Sequence, residues 1–111
     1  DVLDGGVAEA LARTAQQLRR DNDALDQIAA AVTDSSTTAL QNLHPAVRSR
    51  VLRRLMLDGG VDAAALTAKH VDQVDRLVTS GRGGARVELP GSVSATRLGN
   101  RLTFTPTSVT P

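Results

Sequence analysis

Phe104 is the only aromatic residue among 111, and that scarcity limits what the chain can fold into. Aromatic side chains each bury roughly 150–250 Å² and usually dominate cores and interfaces. Here the 41% hydrophobic content leans on alanine, so there is little large apolar surface to hide. A chain of this length is one domain at most. Its thin core implies marginal stability or reliance on a neighbouring domain.

Several function classes drop out on composition. With no cysteine, disulfides, thiolate metal sites and cysteine nucleophiles are excluded. Absence of cysteine fits a reducing compartment, and a cytoplasmic location is the expectation. No apolar run approaches the roughly 20 residues of a membrane helix, and no signal peptide is legible, so no membrane partner is expected. A start at Asp1 rather than methionine points to a piece of a longer protein.

Charge is organised along the chain although the net value is only +1. Residues 1–34 carry seven acids against three arginines, and residues 35–57 carry four arginines and no acid. Residues 58–80 have four acids against Lys69 and Arg76, and residues 81–111 have four arginines against Glu88. Alternating acidic and basic segments suggest a directional electrostatic face.

The periodicity predicts a mainly α fold: one long N-terminal helix, two shorter helices packed on it, and a small C-terminal antiparallel β-hairpin. The long helix is expected from Val7 to about Asp34, preceded by Gly5-Gly6 and filled with good helix formers. Leu11, Leu18, Leu25 and Val32 recur every seven residues, with Val7 and Ile28 on the companion seam. Thr14 and Asp21 interrupt that seam, which favours one amphipathic stripe packed on the domain over a dimerising coiled coil. Ser35–Thr38 is a polar break. Pro45 suits the first position of a second helix running to about Leu57 and ended by Gly59-Gly60. A third helix follows Thr67 as N-cap, with Leu66 and Val71 as hydrophobic staple and Val71, Val74, Leu77 and Val78 as buried face. Residues 1–81 thus form a helical accessory domain. Residues 82–105 form a connector and β region, with strands Arg86–Leu89, Val93–Leu98 and Arg101–Thr105, the last two closing on Gly99-Asn100. Residues 106–111 are expected to be a flexible tail.

Chemistry-bearing motifs are sparse, and no catalytic or metal-ligating residue is expected. Ser80-Gly81-Arg82-Gly83-Gly84 has the glycines of a phosphate loop. It follows a helix instead of a strand and has no lysine for the phosphates, so it reads as a linker. His44 and His70 lie on different helices without a third ligand, whereas a metal site needs three or four. The hydroxyls at 35–38 have no adjacent base to activate them.

One constellation stands above this background. At 100° per residue, Val47, Val51, Leu52, Leu55 and Met56 share an arc, and Arg50, Arg53 and Arg54 lie opposite with no carboxylate nearby in sequence. Clustered guanidinium groups suit phosphate oxygens. Two readings are open: phosphate contact, or a basic face that is solvated or paired with the acidic first helix. Arg48 instead falls inside the apolar arc, where a charge needs a partner. Asp21, in the seam of the first helix, is the expected one, unless Arg48 emerges at a domain edge. Arg82, Arg86, Arg97 and Arg101 form a second basic group toward the C-terminus.

GVAEALARTAQQLRRDNDALD over Gly6–Asp26 resembles the helix that follows the catalytic domain in bacterial tRNA(Ile)-lysidine synthases. LHPAVRSRVLRR over Leu43–Arg54 resembles that family's next helix, and Leu66–Val71, Val87–Gly91 and Arg101–Phe104 follow in the family's order. The resemblance implies an enzyme that uses ATP, with magnesium, to activate the wobble cytidine of an isoleucine tRNA and then attaches lysine to it. That chemistry belongs to an N-terminal ATP-pyrophosphatase domain with a Ser-Gly-Gly-x-Asp-Ser loop, which this chain lacks, so no cofactor is assigned to it. By resemblance the segment is the C-terminal accessory region, with the catalytic domain and tRNA(Ile) as partners. Arg50, Arg53 and Arg54 are then the phosphate-contact candidates, and Arg82, Arg86, Arg97 and Arg101 the secondary ones. The rival readings are a helical protein–protein or homodimerisation module, and an accessory domain of another ATP-pyrophosphatase tRNA modifier.

Overall fold

The computed structural model describes residues 2–81 and 84–107, the side chains of residues 2–5 excepted. Its elements are α1 (Val2–Ala30), α2 (Thr37–Gln41), α3 (Pro45–Asp58), α4 (Ala68–Ser80), β1 (Arg86–Leu89), β2 (Val93–Leu98) and β3 (Arg101–Pro106). The mainly helical class and the antiparallel hairpin both match the sequence reading. Arg82 and residues 108–111 lie outside the described residues.

The core forms where α3, α4 and the sheet meet. Val51, Leu52 and Met56 of α3, Val74 and Val78 of α4, Leu40 of α2 and Ala95 of β2 have no exposed surface. Val71, Val74, Leu77 and Val78 are buried together, as their spacing requires. Both α3 and α4 start on the residues that the sequence offers. His44 is held extended before Pro45, and its Nδ1 accepts from the Ala46 amide at 3.0 Å. Thr67 caps α4, and its own amide donates to Nδ1 of His70 at 3.0 Å. Both imidazoles therefore cap helices, which accounts for them without a ligand.

The sheet has the order β1-β2-β3, antiparallel throughout. β1 joins the hairpin through Leu89↔Val93 and Arg86↔Thr96, and β3 through Leu98↔Arg101. Leu89, Val93 and Ala95 turn toward α4, and alternation then places Arg86, Thr96, Thr103 and Arg101 on the outer face. Phe104 settles against the end of α3, where only a glycine fits: a Cβ on Gly59 would lie 2.6 Å from that of Phe104.

Four sequence expectations are corrected. First, α1 begins before the glycines and ends at Ala30 rather than Asp34. The Asp34 carboxylate accepts from the Ser36 amide at 2.9 Å, a local turn that competes with the helical bond. Second, the seam of α1 is not packed along its length: Val7, Leu11, Leu18 and Ile28 are each more than half exposed. Leu25, Ala29 and Val32 alone join the core. For Val7, Leu11 and Leu18 the reason is length, since at about 1.5 Å per residue a 29-residue helix outruns the 14-residue α3 it lies on; Ile28 lies in the docked part and faces solvent. Third, α2 begins inside the polar break, started by Ser36, whose hydroxyl accepts from the Ala39 amide at 3.2 Å. Fourth, Pro106, assigned to the tail, closes β3.

Asn100 ties the sheet to this helix. Its Oδ1 accepts from the Thr37 hydroxyl at 2.6 Å, the Thr38 amide at 2.8 Å and the Thr38 hydroxyl at 2.7 Å. Its carbonyl accepts from the Thr37 amide at 3.1 Å. The hairpin turn thus satisfies donors that the first turn of α2 leaves open.

Candidate nucleic-acid interface

The arginine-rich helix α3 divides its cations among different tasks. Its apolar arc faces α4, so Arg48, inside that arc, meets α4 and not α1. Arg48 forms an ion pair with Asp75, Nε to Oδ2 at 2.8 Å, and donates to the Leu43 carbonyl at 3.1 Å. The expected partner, Asp21, lies exposed on α1 and accepts from Gln17 Nε2 at 3.0 Å. The need of Arg48 for a carboxylate is met, but by the helix that closes the arc.

Arg54 is also engaged within the chain. It donates to the carbonyls of Ala29 and Val32, both at 2.7 Å, and so caps the C-terminal end of α1 with a positive charge. Arg50 reaches the same helix one to two turns earlier. Its Nε meets Asp26 Oδ1 at 2.8 Å, one terminal nitrogen meets Asn22 Oδ1 at 3.0 Å, and the other donates to the Ala46 carbonyl at 2.8 Å. For Arg50 the geometry therefore follows the reading in which this face pairs with the acidic first helix. Arg53 differs: it is exposed and makes no ion pair among the described residues.

Two shallow hollows flank Arg50 and Arg53. One, of about 460 Å³, opens toward the start of α4 and is lined by Ser49, Arg50, Arg53, Ala68, Val71 and Asp72. The other, of about 260 Å³, opens toward α1 and is lined by Asp26, Arg50, Arg53, Arg54, Leu57 and Asp58. Three carboxylates thus border three guanidiniums. Asp26 and Asp72 arrive from other elements and are not visible from the sequence around these arginines, whereas Asp58 lies on α3 itself, four residues after Arg54.

The C-terminal cations are likewise divided. Arg97 donates to the carbonyl of Val78 at 2.8 Å and that of Leu77 at 3.3 Å, and Gln41 Nε2 donates to Val78 at 2.9 Å. Together they cap the end of α4. Arg86 pairs with Glu88 at 2.8 Å, both well exposed. The Ser94 hydroxyl, with Arg86 beside it, holds the Glu88 carboxyl below its ordinary range. Arg101 is exposed and makes no ion pair among the described residues. Sequence spacing gives no signal for the capping roles of Arg54 and Arg97, because each cap joins residues about 20 or more positions apart.

The described residues hold no cluster of three or more His, Asp or Glu placed for a metal, and no helix among them is long and apolar enough to cross a membrane. Gly81 follows the end of α4 and Gly84 precedes β1, so the described part of the glycine run joins a helix to a strand.

A family model described as the TilS substrate binding domain matches residues 36–103. The tRNA(Ile)-lysidine synthase of Streptomyces coelicolor is 49% identical over 108 residues, covering 90% of this chain and 31% of that protein. That of Mycobacterium tuberculosis H37Rv is 50% identical over 109 residues, 88% of this chain and 33% of the relative. That of Thermobifida fusca is 48% identical over 99 residues, 82% and 31%. The chain therefore spans about a third of the length of the relatives it matches. No solved structure matches. Because the match runs from the cap of α2 into β3 and takes in α3, α4 and two complete strands, the chain belongs to the TilS substrate binding domain family.

Proposed function

We propose that this chain is the tRNA-holding region of an enzyme that uses ATP to attach lysine to the wobble cytidine of an isoleucine tRNA. The observation that carries the reading is the family match over residues 36–103, joined to relatives whose names specify tRNA(Ile) and lysidine. Activation by ATP and transfer of lysine fall to the remainder of such an enzyme, and the chain's own part is to bind RNA through its phosphates. Of the arginines singled out from the sequence, Arg53 and Arg101 have no carboxylate partner among the described residues and Arg86 holds its partner only at the surface, so we take these three as the first contacts. One aromatic residue provides no platform for stacking bases, so the binding does not read sequence.

The test is a titration of labelled tRNA(Ile) at two salt concentrations. Three phosphate contacts give a log–log salt slope of roughly −2 to −3. Charge reversal at Arg53 together with Arg101 should remove most of the binding while circular dichroism stays unchanged. Equal binding by the wild type and this double variant would reject the assignment of these residues.

A second reading has one observation behind it: the exposed apolar seam Val7, Leu11 and Leu18, which suits a helical protein–protein or homodimer surface. Concentration-dependent association without tRNA binding would favour it.

A further inference from the structure

We propose that Asp26 acts as a built-in competitor for RNA phosphate at Arg50, so that the Arg50–Arg53 groove is a two-point phosphodiester site which the chain itself keeps half occupied. The inference rests on the tRNA reading above and adds to it a gate. Both hollows beside α3 are bounded by the same two arginines. These lie three residues apart, so their side chains emerge as neighbours on one helix face. Arg53 is exposed to solvent without an ion pair among the described residues. Arg50 has every nitrogen engaged, and one of its acceptors is a carboxylate oxygen at 2.8 Å. That oxygen presents to the guanidinium the same charge and acceptor geometry as a phosphate oxygen.

The pair is accessible as well as formed. The side chains of Arg50 and Asp26 retain 27% and 67% of their exposure, and an exposed ion pair contributes little. A lone phosphate gains only Arg53. A strand with adjacent phosphodiesters can hold Arg53 with one group and offer the next to Arg50 in place of Asp26. The groove therefore discriminates for a continuous polyanion, and Asp26 sets the threshold.

The experiment is a titration of tRNA(Ile) against the 111-residue chain and the variants Asp26→Asn, Arg50→Ala, Asp26→Asn/Arg50→Ala and Asp23→Asn. Asp23 is exposed on α1 and lines neither hollow, so its variant changes the net charge equally without touching the gate. Circular dichroism verifies that each variant is folded. Removing the competitor should tighten binding by up to about fivefold at low salt, the factor that corresponds to an exposed pair of about 1 kcal/mol. It should also steepen the salt slope, by at most about 0.9, the full value holding where Asp26 keeps Arg50 from the strand in the wild type. The gain should vanish when Arg50 is absent, and Asp23→Asn should change binding by less than about half that factor. Equal tightening by Asp26→Asn and Asp23→Asn, or tightening that survives Arg50→Ala, overturns the gate while leaving tRNA binding intact. Failure of every variant and the wild type to bind tRNA overturns the tRNA reading and the gate together.

Discussion

Arg48 and Arg50 stand two positions apart on α3 with the same chemistry, and their burial separates them. The Arg48–Asp75 pair retains 11% and 24% of its side-chain exposure, against 27% and 67% for Arg50–Asp26. Removing one partner of an enclosed pair leaves a charge with no ready access to water, whereas an exposed pair is worth at most about 1 kcal/mol. Arg48→Ala should therefore cost about 2 kcal/mol of unfolding free energy in urea, and Arg50→Ala less than about 1. Equal midpoints for the two variants would contradict the difference in burial. At this scale the sequence is legible wherever a residue's task is local: Pro45, Thr67 and the valines of α4 all do what their spacing implies. It is illegible where the partner comes from a distant segment. Asp75 for Arg48, Asp26 for Arg50 and the α1 carbonyls for Arg54 are known only once the helices are placed.

Among the elements, α3, α4 and the hairpin each carry a periodic signal long enough to read, with caps or a turn at their ends. α2 does not, because five residues make little more than one turn and a helix that short has no period. It persists because its first turn is capped twice, by Ser36 from within and by Asn100 from the hairpin. All the side-chain bonds of Asn100 are accepted at Oδ1, which yields a discriminating prediction. Asn100→Ala should lower stability by about 2 kcal/mol, the order expected for stranding a group of donors. Asn100→Asp should retain most of it, since a carboxylate accepts the same bonds and suits a helix N-terminus. Thermal melts of the two variants distinguish the latch from a simple turn preference: if both lose equally, the turn conformation and not the acceptor is what matters.

Across the whole molecule, extents of 67 × 32 × 22 Å come from a small packed body and one helix that projects from it. The heptad spacing of Leu11, Leu18, Leu25 and Val32 announces an apolar seam but not how much of it finds a partner, because that depends on the length of α3. Leu18→Lys should leave the unfolding free energy within about 0.5 kcal/mol, as for surface changes generally. Leu25→Ala should cost more, about 1–2 kcal/mol, because Leu25 packs against the core. A large loss at Leu18 in the same urea titration would mean that the projecting half of the helix is covered. The two gripping arginines give this shape a mechanical consequence. Arg54 fastens α1 at its end and Arg50 fastens it at Asn22 and Asp26, while roughly 20 residues continue beyond the second grip, an arm of about 30 Å. With Arg50 released, Arg54 remains at the pivot, and a tilt there of about 10° sweeps the far end, about 40 Å away, through roughly 7 Å. The molecule is built as a lever whose short side is held by two guanidiniums and the packing of Leu25 and Ala29, and whose long side is most of a helix.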